Sequence, residues 1–190
     1  PGSRMGEVTR HAQVMLEAAR RLSNQRPEIR FAAALANEKT LFAFREAMEQ
    51  TGFTNVTLFE QRAKELMAAA DVVCSASGTA TLETMLINRP MVMIYKIAGS
   101  TYQLAKYLNL VKIRTFALPN ILAGEHIVPE LIQHEANGER IAREISSWLD
   151  DKDRRSALST RFTSLHQQLL CDAAEQAATE VSRFIQAPPC

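Results

Sequence analysis

Residues 72–95 read VVCSASGTATLETMLINRPMVMIY, and their reading decides the fold. Val72–Ser75 and Met91–Tyr95 are short apolar runs, as expected of strands buried on both faces. Between them Thr79–Asn88 follows a helix pattern that opens after Gly78 and stops before Pro90. A strand, a helix and a second strand joined by short links make a parallel unit.

The alternation continues on both sides. Upstream, Val8, Ala12, Met15, Ala19 and Leu22 are spaced as the stripe of an amphipathic helix over Glu7–Asn24, ended by Pro27. Ile29–Leu35 reads as a buried strand. Asn37 then offers an N-cap for a helix through Leu41, Phe44 and Met48, with Gly52 at the C′ position. Val56–Phe59 reads as a strand and Gln61–Ala70 as a helix. Downstream, Ser100 caps a helix through Leu104 and Leu108. After Phe116 the alternation stops. Pro119–Gly124 reads as a loop, Gly138–Leu149 as a helix with Ile141, Ile145 and Trp148 on one stripe, and Asp153 to about Phe184 as a long helical stretch. The expected fold is α/β, a parallel sheet with helices on both faces over residues 1–150, followed by a C-terminal helical extension over 151–190.

Composition sets bounds on function. The 190 residues carry a net charge of +1, with 46% hydrophobic and 23% charged side chains, as in an ordinary globular protein with no global pull toward nucleic acid. The 3 cysteines have neither metal-pair nor disulfide spacing, which fits a reducing compartment. Cys74 reads as a small buried hydrophobe. Nothing in the chain is apolar for long enough to span a bilayer, and no secretory signal opens it. The opening Pro1-Gly2-Ser3-Arg4 reads as the interior of a longer chain or as residues added to it.

In open parallel sheets ligands bind where strands end and helices begin. Ser75–Glu83 occupies such a junction. Gly78 lets a ligand approach the backbone, while Ser77, Thr79 and the free N–H groups of the helix's first turn can hold phosphate oxygens. Glu83, about one turn along, can accept bonds from a ribose diol. The same residues also read as a capped helix with a surface glutamate. A second glycine turn, Pro1–Arg4, precedes another helix and carries an arginine suited to pyrophosphate. Neither a GxGxxG nor a GxxxxGK[ST] motif is present, which disfavours dehydrogenases and P-loop enzymes.

Pro1–Arg4, Ala76–Glu83 and Leu118–Gly124, with the tail segments Leu165–Gln168 and Ala174–Ala178, together resemble lipid-A-disaccharide synthases over residue 1 to about 186. The Ser77–Glu83 element is shared loosely by other transferases, whereas Pro119–Gly124 and the His166-Gln167-Gln168 tail are more particular. The resemblance implies the donor-binding, Rossmann-like half of a GT-B hexosyltransferase. It would join UDP-2,3-diacylglucosamine to 2,3-diacylglucosamine 1-phosphate through a β-1,6 bond, releasing UDP without metal or cofactor. It makes Arg4 the catalytic candidate at the donor diphosphate. Gly2, Ser3, Ser77, Gly78, Thr79 and Ala80 would line the phosphates, Glu83 would hold the ribose, Asn120 would sit in the nucleotide-side cleft, and Glu60 and Gln61 would lie where uracil is read. The general base, an aspartate, belongs to a preceding acceptor-binding domain that this chain does not contain, so turnover by this chain alone is not expected. An epimerase of UDP-N-acetylglucosamine on the same fold accounts for neither the Pro119–Gly124 segment nor the tail. A non-enzymatic nucleotide-binding or scaffold module would be told apart by its indifference to nucleotides.

Three further expectations follow. His11 and His134 read as solvated helix positions, and His166 as a packing residue. Leu158, Phe162, Leu165 and Leu169 form a stripe that, without the missing domain, needs another cover, which predicts self-association through the C-terminal helices or local disorder. Finally, no acidic residue occurs between Glu83 and Glu125, while Arg89, Lys96, Lys106, Lys112 and Arg114 alternate with Tyr95, Tyr102, Leu104, Tyr107, Leu108 and Leu110. That pattern suits contact with an anionic bilayer through residues 95–116, on the cytoplasmic side.

Overall fold

The computed structural model describes residues 1–76, 78–97, 115–170, 177–179 and 181–183. Its elements follow the expected alternation. Helix α1 (Met5–Gln25) leads to β1 (Ala32–Leu35), α2 (Glu38–Thr51), β2 (Thr57–Glu60) and α3 (Ala63–Ala69). Then come β3 (Val73–Ala76), α4 (Thr79–Leu86) and β4 (Met91–Tyr95). The chain continues through α5 (Leu118–Ala123), β5 (Glu130–Ile132), α6 (Gly138–Asp150) and α7 (Lys152–Leu169). The Ser100 helix falls outside the described residues.

Every strand pair is parallel, but the ladders form two sheets where the sequence suggested one. The strands β1 and β2 pair in register Ala32↔Thr57 to Leu35↔Glu60. The second sheet has the order β3-β4-β5, with Ala76 opposite Ile94 and Met93 opposite Glu130. Met91, Val92, Met93 and Ile94 are fully buried, so β4 is the central strand its unbroken apolar run foretold. Helix α1 joins the two halves. Its Val8, Ala12, Leu16 and Ala19 pack with Leu35, Phe44 and Met48 over the first sheet. Its Val14, Ala18 and Leu22 pack with β4, Leu131, Ile141 and Trp148 over the second.

Local signals set the helix ends. Asn37 accepts from the Thr40 N–H at 3.0 Å, and α2 closes on Gly52 in the left-handed region. Asn137 and Asp151 cap α6 and α7 in the same way, accepting from the N–H groups of Arg140 and Arg154.

Four expectations are corrected. Pro119–Gly124 is not a loop. Leu118–Ala123 is a helix with Pro in its first turn and left-handed Gly124 after it, because proline lacks only an N–H that the first turn does not use. The alternation does not stop at Phe116, since β5 adds a strand to β4. The long C-terminal helix ends at Leu169, with residues 177–179 and 181–183 helical again and exposed. The α7 stripe also needs no partner chain. Leu158, Phe162 and Leu165 are buried in the same core as Trp148 and β4, and only Leu169 is left partly exposed. Trp148 fixes that corner, donating from Nε1 to the Met91 carbonyl at 3.0 Å, with the Arg154 guanidinium 3.7 Å over its ring. Self-association through this stripe therefore loses its motive.

Candidate functional site

The carboxyl ends of β3 and β4 lie side by side, and both glycine turns gather at that edge. Ala76, the last residue of β3, leads within two residues into Gly78, whose φ of +115° disfavours any side chain. Gly78 is exposed, and among the described residues nothing lies within 4 Å of the place a Cβ would occupy. Thr79 is also exposed, Ala80 is half-buried, and their N–H groups open α4 without a partner among the described residues. Glu83 is half-buried one turn along, and its carboxylate has no hydrogen-bond or ion-pair partner among the described residues. Ser77 lies outside the described residues.

The Pro1–Arg4 turn reaches the same edge from α1. His11 ties it there, with Nδ1 2.8 Å from the Pro1 carbonyl and Nε2 accepting from the Lys96 N–H at 3.0 Å, just past β4. These partners define one neutral tautomer with the proton on Nδ1. His11 is completely buried, not solvated as the sequence suggested, and burial holds its pKa below the usual histidine value. The correction has a simple cause: the ring sits beside the apolar stripe of α1 and is covered by β4. Arg10 adds a bond from Nε to the Lys96 carbonyl at 3.0 Å. His134, in contrast, is exposed in the turn after β5.

Glu7 shapes the turn from inside α1. Its Oε2 accepts from the Ser3 N–H at 3.1 Å and the Arg4 N–H at 3.3 Å. Gly2 has φ +120°, and a Cβ there would stand 2.6 Å from the Glu7 Cβ, so this close approach requires glycine. The Arg4 side chain is 85% exposed and, among the described residues, pairs only with Glu7, at 3.5 Å, which leaves its guanidinium able to meet an anion in front of the edge.

Glu60 ends β2 and Gln61 follows with φ +56°, both exposed at the carboxyl end of the first sheet. Gln61 therefore lies in the turn and not in the helix, which begins at Ala63.

Asn120 is placed otherwise. It is 1% exposed, and its amide is fully used inside the protein. Nδ2 donates to the Val128 carbonyl at 2.9 Å and to Glu130 Oε1 at 2.7 Å, while Oδ1 accepts from the N–H groups of Ile127 and Val128 at 2.8 and 2.9 Å. It stands behind the edge and has no free atom to offer a ligand. The sequence missed Glu130, whose carboxylate holds this region together. Its neighbours along β5 are apolar, and a glutamate facing inward from so short a strand leaves no periodic signal.

Cys74, on β3, is screened from chemistry, because burial pushes its thiol up to about 12. A cavity of 470 Å³ opens at the opposite, amino end of the strands, near Asp71 and Pro90. Its guanidinium groups are already engaged, Arg89 with the Ala68 carbonyl at 2.6 Å and Arg155 with the Leu149 carbonyl at 2.6 Å. Among the described residues, no group of three or more His, Cys, Asp or Glu is placed to hold a metal ion.

This edge sets backbone N–H donors at the carboxyl ends of strands, an arrangement that can meet a phosphorylated ligand. A model of the lipid-A-disaccharide synthetase family matches residues 1–181. The chain belongs to this family. A lipid-A-disaccharide synthase of Alkalilimnicola ehrlichii is 46% identical over 182 residues, covering 95% of this chain and 47% of the relative. One from Xylella fastidiosa is 40% identical over 188 residues, covering 98% and 49%. The chain thus spans about half the length of the curated relatives it matches. Among solved structures, a protein from Listeria monocytogenes described as a UDP-N-acetylglucosamine 2-epimerase superposes with a TM-score of 0.54 at 15% identity. That match covers 78% of this chain and 34% of the other, a likeness of fold alone. No described helix is long and apolar enough to cross a membrane.

Proposed function

We propose that this chain is the donor-binding half of a hexosyltransferase of lipid A biosynthesis. Residues 1–150 would bind UDP-2,3-diacylglucosamine, and 151–190 would form a C-terminal extension whose helix Lys152–Leu169 packs onto them. The observation that carries the reading is the exposed Gly78 turn, with the N–H groups of Thr79 and Ala80 in front and the Glu83 carboxylate one turn behind, all without a partner among the described residues. The N–H groups would hold the donor's diphosphate, Glu83 the ribose diol, and the backbone around Glu60 and Gln61 the uracil. The Arg4 guanidinium would face the diphosphate from the second turn, whose Ser3 and Arg4 N–H groups are held by Glu7.

In the transfer, the acceptor's 6-hydroxyl attacks the anomeric carbon, and the bond from that carbon to the β-phosphate oxygen breaks. UDP leaves with the electron pair, and its growing negative charge is what Arg4 and the helix N–H groups stabilise. The proton of the hydroxyl goes to a base on the partner half of the enzyme. The relatives, named for this synthesis, carry an equal length of chain in which such a half fits. Residues 95–116 would meet the cytoplasmic face of an anionic membrane where the acylated substrates lie; positions 98–114 fall outside the described residues.

Calorimetric titration with UDP and with uridine tests the reading. Glu83→Ala should weaken UDP by about 1–3 kcal/mol, the range for losing a charged acceptor. Arg4→Ala should weaken UDP more than uridine. Absence of UDP binding by the unmodified protein, or equal losses of the two ligands in Arg4→Ala, would overturn it.

A further inference from the structure

The three consecutive N–H groups of Phe116, Ala117 and Leu118 are shared between two distant side chains. Those of Phe116 and Ala117 donate to Oε2 and Oε1 of Glu130, at 2.9 and 3.1 Å. That of Leu118 donates to Thr81 Oγ1 at 3.2 Å. Thr81, fully buried in α4, passes the connection on, because its hydroxyl donates to the Gly78 carbonyl at 2.8 Å and its N–H to the same oxygen at 3.1 Å. Glu130 is held in turn by the sheet, opposite Met93 of β4, and by Asn120. One chain of hydrogen bonds thus runs from a strand of the sheet, through the entrance to α5, to the carbonyl of the exposed glycine turn.

We infer that Glu130 is a positioning residue for the phosphate end of the donor site, acting through the 116–118 backbone and Thr81 on the Gly78 turn. The inference rests on the donor-binding reading and adds a residue that it lacks. The physical need is plain. With φ at +115° and, among the described residues, open space where a Cβ would stand, Gly78 has no side-chain packing to fix it. Its carbonyl is held only by Thr81 among the described residues, and the peptide's orientation decides where the N–H groups of α4 point. A carboxylate suits the far end because it is acceptor-only. It takes three donors at once, from Phe116, Ala117 and Asn120, which no neutral side chain of that size can match. Asn120 supports the lock by using its whole amide to hold Glu130 and the 127–128 backbone.

The test pairs Glu130→Gln with Thr81→Val in the full-length protein, reading UDP affinity, uridine affinity and melting temperature. Glutamine turns an N–H₂ toward one of the three donors. Valine keeps the volume of threonine and removes the hydroxyl. Each change should weaken UDP about tenfold, as loss of a hydrogen bond from a buried network does, and leave uridine within about twofold. The double variant should bind UDP no worse than Thr81→Val alone, because both lesions cut one chain. Asn120→Asp added to Glu130→Gln should restore part of the UDP affinity, since the new carboxylate can accept from the glutamine. If Glu130→Gln does not fold, Thr81→Val decides through its ratio of UDP to uridine loss. A parallel fall of both ligands, UDP affinity unchanged despite a lowered melting temperature, or additive losses in the double variant would overturn the inference. An unmodified protein that binds neither ligand overturns the donor reading itself.

Discussion

His11 makes the structure testable by pH alone. The ring is fully buried, and its two nitrogens have one partner each, the Pro1 carbonyl and the Lys96 N–H. Protonation would place a second N–H against the Lys96 donor and a charge in an apolar setting, so the folded pKa lies below the unfolded one. A group depressed in this sense is a base that the folded state keeps neutral. Its stability contribution is whole above the unfolded histidine value of about 6.5 and is lost as pH falls below it. One proton can cost at most about 1.4 kcal/mol per pH unit. In His11→Gln the titration disappears, and one of the two hydrogen bonds is lost or bent, at a cost of about 1–3 kcal/mol at pH 7.5. Urea unfolding of both proteins at pH 7.5 and pH 5 gives the comparison. The two stability curves should converge toward pH 5, because the original protein loses there what the variant never had. The other three histidines are common to both proteins and cancel in the difference. If the gap between the proteins is the same at both pH values, the buried neutral tautomer is wrong.

Phe162→Ala should cost about 3–5 kcal/mol of stability, the range for truncating a buried aromatic side chain, as followed by denaturant unfolding. A change below about 1 kcal/mol would mean that the α7 stripe faces outward. Gly2→Ala should push Glu7 off the Ser3 and Arg4 N–H groups and weaken UDP more than uridine by calorimetry; unchanged UDP affinity would refute that coupling. The change Lys106→Glu/Lys112→Glu/Arg114→Glu should abolish salt-sensitive flotation with anionic vesicles while UDP still binds. Unmodified protein that ignores such vesicles at low salt rules out the membrane surface.

What the sequence determined by itself is local. Helix α2 is legible from end to end, because Asn37 caps its own N–H groups and Gly52 relieves its own left-handed turn, both within a few residues. The unbroken apolar run at Met91–Ile94 announces a strand covered on both faces, since no solvent-facing alternation interrupts it. The Gly78 turn is legible too, as a glycine between a strand and a helix. Where the same residues fit two structures, only the tertiary structure chose. Proline and glycine around Asn-Ile-Leu-Ala can bound a loop or a short helix, and the backbone donors taken up by Glu130 and Thr81 made it the helix. β5 is too short to show a period, and it exists because β4 offers it a ladder. An apolar stripe says that α7 must be covered, but its cover, Trp148 and β4, comes from elsewhere in the chain. His11 and Asn120 carry the same lesson for polar groups. A polar side chain is worth burying only when all its partners arrive together, and those of His11 are separated from one another by most of a domain in sequence.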